Sequence, residues 1–116
     1  MYSIISRALW NRIPITPRDA ELIFKDWEKI PLHRGVIIVG VVLRKGPEVH
    51  IIIDPTHQNH IVFIKKCKDI LAATIAKYQY AETKVARNHT VGHRLAEILG
   101  FSQVSSDTDV VHYKKV

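Results

Sequence analysis

Asn88-His89-Thr90-Val91-Gly92-His93-Arg94-Leu95-Ala96-Glu97-Ile98-Leu99-Gly100-Phe101 is the stretch on which the fold turns. Val91, Leu95, Ile98 and Leu99 recur at intervals of three and four, the spacing that puts side chains on one inward face of a helix. Gly100 supplies the stop, because a residue without Cβ takes the left-handed conformation that closes a helix. The spacing predicts a helix over 90–99. Just before it, Ala81 to Arg87 reads as a strand. Just after it, Phe101 to Val104 and Val110 to Tyr113 read as a hairpin around the polar Ser105 to Asp109 loop.

Further upstream, Ile61 to Tyr78 carries the longest helical pattern, with Ile64, Cys67, Leu71, Thr74, Ile75 and Tyr78 on one side and Lys65, Lys66, Lys68 and Asp69 off it. Before it come two runs rich in β-branched residues, Val36 to Leu43 and Val49 to Ile53, joined by the turn Lys45-Gly46-Pro47. The first run is nearly continuous, as in a strand covered on both faces, and Gly40 within it marks a bulge or a close backbone approach. Asp54-Pro55 ends the second. Thr16, Pro17 and Asp19 form a helix-start signal, and Ala20, Ile23, Phe24 and Trp27 suggest a buried stripe over 17–29 that Pro31 stops. A first strand is expected around Tyr2 to Ser6, with an extended Ile13-Pro14-Ile15. The reading is one α/β (α+β) domain over residues 1–116: a mixed, mostly antiparallel sheet with helices on both faces.

The chain has 116 residues, 47% of them hydrophobic, enough for one core without staples and too few for a second domain. Its one cysteine, Cys67, excludes an internal disulfide, and no apolar stretch is long enough to span a membrane. The opening MYSIISRALW is interrupted by Arg7 and followed by Arg12, without a small-residue cleavage site, so it is not read as a signal peptide and the expected compartment is the cytoplasm. A formal net charge of +6 suits an anionic partner. The basic residues are scattered, however, and there is no platform of aromatic and basic residues, so nucleic acid is not the expected partner. Seven histidines are many for this length. His57 and His60 are three apart, and His89 and His93 four apart on a helix, but no HExxH motif or cysteine set accompanies them. They read as surface or capping residues, with no metal site. Cys67, on the apolar helix face, reads as a small core residue.

The segment from Asn88 to Phe101, between a strand and a hairpin, resembles the closing segment of the GNAT N-acetyltransferase superfamily. There an asparagine ends the fifth strand and a short helix finishes in Leu-Gly-Phe. The resemblance covers about residues 35 to 116, and the nearest type is the small GNAT-like proteins of tailed phages, including an internal virion protein family. It implies acetyl-CoA as cofactor, with pantetheine pairing near Ile52 and Ile53, pyrophosphate at the amides that open the next helix, and Lys65, Lys66 and Lys68 close by. It likewise implies cofactor contacts from Gln58, Asn59, His60 and Asn88. The family's loop runs Gln or Arg, two residues, Gly, one residue, Gly or Ala. Gln58 fits it, while Ile61 and Phe63 stand where small residues belong.

The family's general-acid tyrosine falls on Ala96. Its general base, a carboxylate on the fourth strand, has Asp54 and His50 as candidates beside Glu48, and Asp54 also suits a turn. Two readings stay open. One is an acyl-CoA-dependent N-acyltransferase of weak or lost activity. The other is a non-catalytic GNAT-fold structural or interaction protein, such as a phage virion component, in host cytoplasm or virion. The partner is then acyl-CoA or another protein chain.

Overall fold

The computed structural model describes residues 2–9, 15–54 and 61–116. In chain order these form α1 (Tyr2–Leu9), α2 (Pro17–Ile23), β1 (Glu28–Arg34), β2 (Ile37–Lys45), β3 (Glu48–Ile53), α3 (Ile61–Tyr78), β4 (Ala81–Ala86), α4 (Thr90–Ile98), β5 (Ser102–Ser106) and β6 (Val110–Lys115). The strands make a six-stranded sheet in the order β1-β2-β3-β4-β6-β5. Pairing is antiparallel at β1–β2, β4–β6 and β5–β6, and parallel at β3–β4. Contacts divide the chain into two compact units, Met1–Lys45 with Ile51–Phe63, and Gly46–His50 with Ile64–Val116.

In the first unit, α2 starts as its sequence dictates. The Thr16 hydroxyl accepts from the Asp19 amide at 3.1 Å while the Asp19 carboxylate accepts from the Thr16 amide at 3.0 Å, so two helix-start donors are satisfied reciprocally. The helix stops at Ile23, six residues short of the expected 17–29, and a turn leads into β1. Phe24 and Trp27 do reach the core, edge to face with centroids 6.2 Å apart, so a turn satisfies the spacing read as helical, whereas Ile23 is exposed. Pro31 lies inside β1, opposite Val41, on an edge strand where its missing N–H costs no ladder bond with a further strand. The expected first strand is also corrected. Residues 2–9 are helical, with Ile4 and Ile5 buried and the Ser6 hydroxyl donating to the Ile15 carbonyl. Of the expected extended Ile13-Pro14-Ile15, only Ile15 lies within the described residues.

The core of this unit gathers Ile5, Ile15, Ala20, Val41 and Leu43, with Phe24, Trp27 and Ile52 packed against it. Each such aliphatic side chain contributes about 1.5–3 kcal/mol. Val39 to Leu43 are all buried, but the expected cover over the whole run from Val36 is corrected, because Val36 is 98% and Ile37 57% exposed where the strand begins. Leu32 pairs with Gly40 but His33 pairs with Ile38, so Val39 is the extra residue of a bulge, and its carbonyl accepts from the Asp54 amide at 2.8 Å. A Cβ at Gly40 would lie 2.8 Å from the Ile52 carbonyl, which is the close approach its place in the run predicts.

In the second unit, α3 buries Cys67, Ile70, Leu71 and Thr74 and exposes Lys65, Lys66, Lys68 and Asp69. The Thr74 hydroxyl is satisfied by donating to the Ile70 carbonyl at 2.8 Å. The end of α4 explains the Leu-Gly-Phe motif physically. Gly100 takes φ +91°, its amide donates to the Glu97 carbonyl, and the Phe101 amide reaches back to the Ala96 carbonyl, both at 3.0 Å. These are the two bonds of a Schellman stop, and Phe101 and Ala96, the two positions that commonly meet in that motif, are both buried. The expected inward face of α4 is rotated. Val91 is 44% and Ile98 46% exposed, while Ala96 and Leu99 are buried. The last hairpin is pinned by Asp107, whose carboxylate accepts from the Asp109 and Val110 amides at 3.0 Å each. Those bonds, Val110 first, hold its carboxyl below the usual range.

Candidate functional site

Because strand side chains alternate, Glu48 and His50 share one face of β3. Their side chains meet, with His50 Nε2 2.7 Å from Glu48 Oε2, and both are half-buried. The carboxylate orients the imidazole through Nε2. Glu48 is also the parallel partner of Glu82 on β4, and the Glu82 amide donates to the Pro47 carbonyl at 2.9 Å. Two carboxylates and an imidazole therefore collect where β3 and β4 begin.

Asp54 sits elsewhere in this frame. It is 3% exposed, and its backbone amide closes the β2 bulge. Ile52 and Ile53 are half-buried, Lys65 is exposed in the second turn of α3, and Asn88 is exposed, with its carbonyl accepting from the Thr90 amide at 3.2 Å. Gln58, Asn59 and His60, with His57, lie outside the described residues. Phe63 is 4% exposed, a core side chain of the first turn of α3. Its ring is therefore turned from solvent.

His93, the histidine of α4, has structural partners. His93 Nε2 lies 3.0 Å from the Ala86 carbonyl and 2.9 Å from that of Arg87, and Nδ1 lies 2.8 Å from the Tyr113 hydroxyl. Both ring nitrogens are thus engaged in tying α4 to β4 and β6. Burial, and then the negative charge of Glu97, push the Tyr113 hydroxyl above its ordinary pKa. Burial likewise pushes the Cys67 thiol up to about 11, so it is no nucleophile at neutral pH. Ala96 is 4% exposed, and that position offers no proton. Sequence reasoning missed Glu82 and the His93–Tyr113 pair, because both depend on strand register, which no spacing along the chain encodes.

No family model and no curated protein matches the chain. Solved structures do. A GNAT-family acetyltransferase from Bacillus anthracis superposes over the whole of this chain and 86% of its own length, with TM-score 0.76 and 14% identity. The spermidine N-acetyltransferase of Vibrio cholerae in complex with CoA and spermine covers 98% of this chain and 82% of its own, with TM-score 0.73 and 17% identity. The ribosomal-protein-S18-alanine N-acetyltransferase of Escherichia coli covers 97% and 83%, with TM-score 0.71 and 15% identity.

The chain has the GNAT fold. At these identities the likeness is one of fold. Here β3, α3 and β4 form a crossover between parallel strands, paired at Glu48 and Glu82. Among the described residues, no helix is long and apolar enough to cross a membrane.

Proposed function

We propose that the chain is an acyl-CoA-dependent N-acyltransferase of low turnover, with His50 as its general base. The observation that supports this best is the β3–α3–β4 crossover, parallel at Glu48 and Glu82, with the Glu48–His50 pair on its first strand. The start of an 18-residue helix suits an anion, and Lys65 is exposed in its second turn. In this reading Lys65 and Asn88 help to hold the donor, which supplies a thioester acyl group. His50 takes a proton from the acceptor ammonium, and Glu48 orients the ring and stabilises its charge. Ala96 gives no general acid, so the departing sulfur takes its proton from water, which is why turnover is low.

A second reading, a non-catalytic GNAT-fold interaction protein such as a phage virion component, is favoured by one observation: the general-acid position is a buried alanine. Release of free CoA from acetyl-CoA across a panel of primary amines separates the two. The enzyme reading expects amine-dependent release that falls about 10²-fold in His50→Gln. Release no faster than without protein, for every amine, leaves the second reading.

A further inference from the structure

Away from the α4-covered face of the second unit's sheet, Glu82 and Lys84 stand two residues apart on β4 and so project to the same side. Glu82 faces Lys114 on β6 and Lys84 faces His112, while Glu48 lies beside Glu82 on β3. Together with Ser105 on β5 these side chains line a pocket of about 250 Å³. That is below the size of a site for a drug-like molecule and suits a small metabolite.

The charges in this pocket are not neutralised by one another. Glu48 is engaged with His50 at 2.7 Å, His112 with Asp107 at 3.5 Å, and the Lys114 ammonium is drawn aside over the Tyr80 ring, 4.6 Å from its centre. Among the described residues, the Glu82 carboxylate and the Lys84 ammonium have no ion-pair partner. A simple cation would meet Lys84 and Lys114, and a simple anion would meet Glu48 and Glu82, each at a like-charge cost. A ligand with both signs separated meets neither cost.

We propose that this pocket binds a small zwitterion of the amino-acid type, with its ammonium between Glu82 and Glu48 and its carboxylate at Lys84 and His112. Charge-assisted hydrogen bonds at both ends fix its direction across the strands. The binding does not depend on acyl transfer. Glycine and L-alanine, titrated into the ¹⁵N-labelled full chain, test it by amide shifts. The expected result is saturable shifts at Glu82, Lys84, Ser105 and His112. N-acetylalanine, which lacks the ammonium, and alanine methyl ester, which lacks the carboxylate, should each bind at least about ten-fold more weakly. Glu82→Gln and Lys84→Gln, with spectra otherwise unchanged, should each weaken alanine by a similar factor. Absence of saturable shifts, equal binding of the single-charge analogues, or undiminished binding by both variants overturns the proposal.

Discussion

The His93 imidazole accepts a hydrogen bond from the Tyr113 hydroxyl at 2.8 Å while its other nitrogen donates to the carbonyls that end β4. This one ring joins the start of α4 to two strands. Tyr113 is buried and its hydroxyl is held above the ordinary pKa, so the folded state keeps its proton longer than the unfolded chain does. The stability this represents is fully present below the unfolded value of about 10 and is lost as pH rises from there through the folded value. Thermal midpoints between pH 9 and 11.5 should therefore fall more steeply for the parent than for Tyr113→Phe. The variant should also lose about 1 kcal/mol at pH 7 through the broken bond. Parallel pH profiles would contradict the assignment.

Phe63 stands where the family's loop has a small residue, and from sequence its ring looks like an obstacle to phosphate. Its burial in the first turn of α3 gives the opposite expectation. Phe63→Ala should destabilise the fold by about 3–5 kcal/mol in urea titrations. It should not improve acetyl-CoA binding. A loss below about 1 kcal/mol would return Phe63 to the surface.

Cys67 is buried with its thiol pushed up to about 11, so at pH 8 only about one molecule in a thousand carries the thiolate. A disulfide reagent should label the native chain slowly, at a rate that follows unfolding and rises with urea. Rapid stoichiometric labelling without denaturant would place this sulfur at the surface.

Gly40 has the Ile52 carbonyl, rather than a movable side chain, where a Cβ would go. Gly40→Ala must therefore shift β3 or β2 and should cost about 1–3 kcal/mol. A neutral result in denaturant titrations would mean that the two strands part more readily than this contact implies.

Much of the fold was legible. α3 matches its predicted span because a stripe through Cys67, Leu71 and Thr74 fits only a 3.6-residue period, and the Leu-Gly-Phe stop works because Gly100 needs positive φ. β1 was not legible, since Phe24 and Trp27 keep helical spacing through a turn and Pro31 reads as a stop although an edge strand accepts it. α1 was misread because two consecutive isoleucines suit a strand equally well, and only the bond from Ser6 to Ile15 and the core around Ile5 decide for a helix. Of the candidate site, His50 and Glu48 lie two apart on one strand and could be read together. Glu82 joins them only through the parallel register.

Calorimetric titration of acetyl-CoA into the unmodified full chain tests the central claim most directly, since an acyltransferase must first hold its donor. The account predicts saturable one-site binding with a Kd of about 0.1–1 mM and a matching rise in thermal midpoint that grows with ligand concentration. No saturable heat and no midpoint shift up to about 10 mM acetyl-CoA would contradict it.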